Sequence, residues 1–165
     1  EDGEAEYPVT IDPQLAQESK LIANDGAAFN SFGSSVAISG DTVAVGAPFA
    51  DVNEITFGAV YIFVRVATTC VQQPKLTAMD SEAFGSFGSS VAIDGDTVVV
   101  GAPGNSDFED FRIGTAYIFV RDGTIWNKQA KLTTSTGELF PFFGTSVAID
   151  RDTEVVGADG SAFVF

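Results

Sequence analysis

One stretch of this chain is written three times. Phe32-Gly33-Ser34-Ser35-Val36-Ala37-Ile38, followed by Asp41-Thr42-Val43-Ala44-Val45-Gly46-Ala47-Pro48, returns as Phe87-Gly88-Ser89-Ser90-Val91-Ala92-Ile93 with Asp96-Thr97-Val98-Val99-Val100-Gly101-Ala102-Pro103. It returns again as Phe143-Gly144-Thr145-Ser146-Val147-Ala148-Ile149 with Asp152-Thr153-Glu154-Val155-Val156-Gly157-Ala158. The copies start 55 and 56 residues apart. A repeat this long encodes an array of supersecondary units, each of which buries its faces against its neighbours.

Within each repeat the same parts recur. A predicted strand D (Lys20-Leu21-Ile22-Ala23, Lys75-Leu76-Thr77-Ala78, Lys131-Leu132-Thr133-Thr134) precedes a polar loop and the Phe-Gly strand A. The turns Ser39-Gly40-Asp41, Asp94-Gly95-Asp96 and Asp150-Arg151-Asp152 lead into strand B, which Pro48 and Pro103 terminate because proline donates no ladder hydrogen bond. Strand C reads Ala59-Val60-Tyr61-Ile62-Phe63-Val64-Arg65 and Ala116-Tyr117-Ile118-Phe119-Val120-Arg121, and Asp122-Gly123 turns the second copy back. Val, Ile, Thr and Phe dominate without a 3.6-residue period, so the chain is predicted to be all-β. Tyr61 and Phe63 alternate with Val60, Ile62 and Val64, so both faces of each sheet need cover. Strands A and B are small and C is large, as expected of blades that widen away from an axis.

Phe-Gly followed by Gly-Ala-Pro, with strand C as Gly-x-x-Tyr-x-Phe, resembles the FG-GAP repeat of integrin α-subunit heads and of bacterial secreted and surface proteins. The resemblance covers residues 20–165 and implies a β-propeller-type array of three antiparallel four-stranded blades, approximately residues 18–73, 74–129 and 130–165, behind an N-terminal arm at 1–17. It further implies an extracellular or cell-surface setting.

The third copy departs from the pattern. Sixteen positions separate Gly101 from Tyr117, but six separate Gly157 from Phe163, so Asp159-Gly160 is expected to form a tight hairpin. The last blade then lacks its outer strand within the chain, while a spare strand D, Ser19 to Ala23, stands at the start. Three blades are too few for a closed ring, since propellers close at about four to eight. Three resolutions follow: strand complementation head to tail between subunits, as a filament or ring; a six-bladed ring from two subunits; or a longer propeller of which this is a part, in keeping with a chain that opens on Glu1. Candidate assembly residues are Tyr7, Val9 and Ile11 of the arm, Leu21, Phe163 and Phe165 at the two ends, and the leading Phe of each Phe-x-x-Phe-Gly, namely Phe29, Phe84 and Phe140. Those three phenylalanines either line an apolar stripe or plug the gap between blades.

Composition narrows the chemistry. A net charge of −15 argues against nucleic acid and anionic membrane surfaces. No apolar run is long enough to insert in a membrane as a helix. With no histidine and one cysteine, Ser-His-Asp and Cys-His nucleophiles, imidazole ligands and thiolate zinc sites are all excluded. Cys70 holds the place of Trp126 one repeat later and is read as a buried free thiol, with an intermolecular disulfide as the rival. Integrin-type repeats often bind calcium in the A–B loop, but these turns are too short to supply six to eight oxygen ligands, so no cofactor is expected. Asp107, Glu109 and Asp110, and Asp51, Asn53 and Glu54, are weak cation candidates in the B–C loops. Gly85-Ser86-Phe87-Gly88 precedes a strand, so no helix-terminus phosphate site forms there.

The reading is a non-enzymatic extracellular structural or assembly protein, a homo-oligomer or filament. An adhesion or ligand-binding propeller module for a protein or glycan is the alternative, and a glycosidase-like hydrolase the distant one.

Overall fold

A computed structural model describes residues 20–52, 55–78, 85–104, 113–134 and 142–165. Every regular element in them is a strand. β1 (Ser35–Ser39), β2 (Thr42–Ala47), β5 (Ala59–Val66) and β6 (Thr69–Gln72) form the first blade, and β3 (Asp51–Val52) pairs with β4 (Ile55–Thr56) as a small ribbon in its B–C loop. β7 (Ser90–Asp94), β8 (Thr97–Ala102), β9 (Thr115–Asp122) and β10 (Ile125–Leu132) form the second, and β11 (Ser146–Asp150), β12 (Thr153–Ala158) and β13 (Ser161–Val164) the third. All neighbours are antiparallel. The third blade has three strands, and Ala158 pairs with Ser161 across the expected Asp159-Gly160 hairpin.

The outer strand starts earlier than the sequence reading placed it. Cys70 and Trp126 lie within β6 and β10, opposite Arg65 and Arg121 in the same register, rather than ahead of the predicted strand D. The tight turns after strand C return the chain at once. In the first blade Pro74 then breaks the strand, and pairing resumes at a single Leu76–Val60 bridge; in the second, β10 runs on to Leu132 through a bulge between Lys128 and Ala130. Residues 20–23 form no strand, although Leu21 and Ala23 pack on the first blade.

Strand alternation gives each blade a front, toward the preceding repeat, and a rear. In the first blade Val43, Val45, Tyr61 and Phe63 pack with Phe32 and Leu21 on the front, whereas Ala37, Ala44, Val60 and Ile62 pack from the rear against Phe87, Ile93, Val98, Val100, Tyr117 and Phe119 of the second blade. Phe143, Val147, Val156 and Phe163 carry the same arrangement between the second and third blades, against Ala116. The core is therefore laid in slabs between sheets.

The Phe of each Phe-Gly is the anchor of its slab. Its ring meets the first aromatic of strand C at 5.5 Å (Phe32–Tyr61), 5.5 Å (Phe87–Tyr117) and 5.4 Å (Phe143–Phe163), and the second at 6.2, 5.9 and 6.1 Å (Phe63, Phe119, Phe165). These separations and tilted or edge-on orientations are the ones that aromatic quadrupoles favour.

Candidate blade-face interface

The glycine after each anchoring Phe makes the junction possible. Gly33, Gly88 and Gly144 have φ of 93°, 92° and 92°, in the left-handed region that favours glycine. There the backbone turns so that the Gly88 carbonyl accepts from Ser35 Oγ of the preceding blade at 2.8 Å, and the Gly144 carbonyl from Ser90 Oγ at 2.7 Å. Opposite each serine on strand B stands the Gly of Gly-Ala-Pro, Gly46 or Gly101, where a β-carbon would strike that same incoming carbonyl. The Phe-Gly and Gly-Ala-Pro motifs are thus the two halves of one joint, the first on the front of a blade and the second on the rear.

Two further contacts complete each joint. Gly58 bridges Phe87 and Gly114 bridges Phe143 in parallel register. At the turn ends, the Gly95 N–H donates to Ser39 Oγ at 3.0 Å, and the Arg151 N–H to Asp94 Oδ2 at 2.8 Å. Between the first two blades Arg121 also reaches Thr42 Oγ1 at 3.0 Å, while Trp126 Nε1 donates to Gln73 Oε1 at 3.0 Å.

The turn carboxylates serve the scaffold. Asp41 accepts from Arg65 Nε at 3.0 Å and Asp96 from Arg121 Nε at 2.7 Å, tying the first two A–B turns to their strands C. Asp51 accepts from Thr56 Oγ1 at 2.7 Å across the ribbon. Among the described residues, no three acidic or thiol side chains converge as metal ligands would. Asp107, Glu109, Asp110, Asn53 and Glu54 lie outside the described residues.

Residues 24–25 fasten the lead-in segment to the first blade. The Asn24 N–H donates to Gln72 Oε1 at 2.9 Å, and Lys75 Nζ meets Asp25 Oδ2 at 2.6 Å. The Lys75 hydrogen bond holds the Asp25 carboxyl below the usual carboxylate range, aided by one from Tyr61. Burial, together with that bond to Asp25, pushes the Tyr61 hydroxyl up to about 12.

Each joint has one half left over. On the front of the first blade Ile38 is 71% exposed, whereas its equivalent Ile93 is 8% exposed. On the rear of the third, Val164 is 70% exposed, whereas Ile62 in the same register is fully buried. Of the residues singled out from sequence, Leu21 is half-buried on the front of the first blade with Phe32. Phe163 turns inward onto Phe143, and Phe165 stands partly exposed beside it. Phe29 is 94% exposed with a φ of 72°. Tyr7, Val9, Ile11, Phe84 and Phe140 lie outside the described residues. Sequence reasoning missed Val36, Ile38, Val155, Ala162 and Val164, although repeat spacing aligned Val36 with half-buried Val91 and each of the others with a position that another repeat buries. Cys70 is a half-buried free thiol packed at the first blade's core.

Blade-to-blade joints of this kind, repeated along an all-β chain, define a β-propeller-type module. The FG-GAP repeat family matches residues 15–63, 70–119 and 126–165, and the chain belongs to that family. FG-GAP repeats typically occur in extracellular and surface proteins. No curated protein matches the chain. Among the described residues no helix is long and apolar enough to cross a membrane.

Proposed function

We propose that this module is a non-enzymatic, extracellular structural protein whose work is self-assembly through its blade faces. The observation that carries the reading is the pair of unmatched ends: apolar residues that the inner joints bury, exemplified by Ile38 and Val164, are exposed at the first front and the last rear. Apolar side chains exposed at positions that equivalent blades bury fit an interaction surface. The absence of histidine and the engagement of Asp41 and Asp96 with arginines support a scaffold rather than a catalyst.

Sedimentation velocity over a wide concentration range tests the reading. Particles heavier than one chain are expected, and a single-chain mass at every concentration would overturn it. A ligand-binding role is the second reading, favoured by a cleft of about 500 Å³ lined by Pro103, Phe142, Thr145, Ala158, Asp159 and Gly160 beside the short hairpin. Binding of a glycan or peptide that Asp159→Ala abolishes would favour it.

A further inference from the structure

The joints between blades are built from the same devices, and each device has an unused half at both ends of the array. Ser146 stands opposite Gly157 as Ser35 stands opposite Gly46 and Ser90 opposite Gly101. A β-carbon on Gly46 or Gly101 would strike the next blade's carbonyl, but the nearest atoms to one on Gly157 all belong to Ser146. Gly160 has a φ of 73°, beside 87° at Gly58 and 80° at Gly114. Those two press on the backbones of Phe87 and Phe143, whereas none of the described residues lies within 4 Å of a β-carbon on Gly160. At the other end Gly33 keeps the φ of Gly88 and Gly144, again with none of the described residues within 4 Å of a β-carbon there. The lead-in segment fits the same scheme. Leu76 bridges Val60 and Leu132 pairs with Ala116; one repeat on, the corresponding pair is Leu21 with Ala162 at the open edge of β13.

We propose that the rear of the third blade is a socket for the front of the first blade of a second copy of this chain. In it the Gly33 carbonyl sits on Ser146 and Gly157, the Phe32 backbone lies beside Gly160, the Gly40 N–H meets Asp150, and Leu21 adds to the edge of β13 opposite Ala162. The inference rests on the assembly reading and names its partner and contacts. A second copy is the occupant because its first front carries the groups that fill the two internal sockets: a left-handed Gly after an anchoring Phe, and Val and Ile on strand A. The contact is heterologous, so it closes or propagates according to the turn between copies. Two copies bring six blades, inside the range of about four to eight at which propellers close.

The test uses three variants of the full chain. Gly160→Asn places a side chain where the chain has open space and where asparagine tolerates the left-handed backbone, but where a docked copy would collide. Ile38→Glu charges the exposed front and Val164→Glu the exposed rear. Each variant is expected to melt as the dissociated parent does at low concentration, and to associate at least about 100-fold more weakly, since a clash or a desolvated charge is placed in the contact. Mixing Ile38→Glu with Val164→Glu is expected to give a two-chain particle, because each keeps the half that the other lacks. Association that survives Gly160→Asn, that is lost with only one of the charged variants, or that does not return on mixing would overturn the docking while leaving the assembly reading in place. A parent that sediments as a single chain throughout would overturn both. Should either glutamate variant fail to fold, Gly160→Asn alone decides.

Discussion

Ser90 Oγ lies 2.7 Å from the carbonyl oxygen of Gly144, a buried residue 54 positions further along the chain. That hydrogen bond helps join the second blade to the third at the point where strand A of one meets the Phe-Gly turn of the next. Its counterpart from Ser35 to Gly88 joins the first to the second.

Replacing Ser90 with Ala strips the donor from a carbonyl held away from water. The expected cost is about 1–2 kcal/mol, the penalty for a part-buried acceptor left without its partner. Ser146→Ala, at the open rear, is expected to stay within about 0.5 kcal/mol in the dissociated chain. Urea midpoints of the two variants check the contrast.

The anchoring phenylalanines are ranked by what covers them. Phe87 is fully buried between two blades, and Phe87→Ala is expected to cost about 3–5 kcal/mol. Phe32 makes the same ring contacts but is covered from one side, so Phe32→Ala is expected to cost roughly half as much. Equal losses would mean that the preceding blade contributes nothing to the burial of Phe87.

The A–B turns hold a substitution that improves the protein. Gly40 and Gly95 sit at φ of 56° and 54°, and in the third copy Arg151 occupies the same position at 54°. A residue with a β-carbon is strained there, and its main-chain bond to Asp94 does not depend on the side chain. Arg151→Gly is expected to raise stability by about 0.5–1 kcal/mol, with strain relief outweighing the added freedom of the unfolded chain. A lower denaturation midpoint would contradict this.

Alkaline stability follows from Tyr61. An unfolded tyrosine ionises near 10, whereas the folded hydroxyl holds its proton to about 12. Below pH 10 both states are protonated and the contribution is complete. Between 10 and 12 only the unfolded state loses the proton, so stability falls through that window. Absorbance at 295 nm is expected to show Tyr61→Phe removing one late-titrating group from the alkaline transition. The sign is opposite at Asp25, whose contribution is present above the ordinary carboxylate range and fades as acid protonates it. Its side chain is half exposed, so the acid effect is small.

The array was legible because its three copies keep the residues that backbone geometry demands. Phe32, Phe87 and Phe143 mark the anchors, and the glycines after them mark the left-handed turns. The Asp159-Gly160 hairpin was legible from spacing alone. The start of the outer strand was not, because β10 reads Ile-Trp-Asn-Lys-Gln-Ala-Lys-Leu and meets solvent along much of its length, which dilutes the alternation. The open joint was half legible. Gly160 stands three residues before Phe163, as Gly58 does before Tyr61 and Gly114 before Tyr117, but sequence does not show that a glycine there admits another blade's backbone. Phe163 was singled out as an end residue because it is the last strand's aromatic; strand parity instead turns it inward and leaves Val164 outward.

The near-constant ring separations of 5.5, 5.5 and 5.4 Å have a consequence for how the molecule comes apart. Identical slabs bonded only to their neighbours behave as a one-dimensional chain of coupled units, whose ends open before the middle. Amide protons of β8 and β9, enclosed on both sides, would then exchange with solvent most slowly. Those of β1 and β13 would exchange fastest, and a second copy seated on the ends would flatten that gradient.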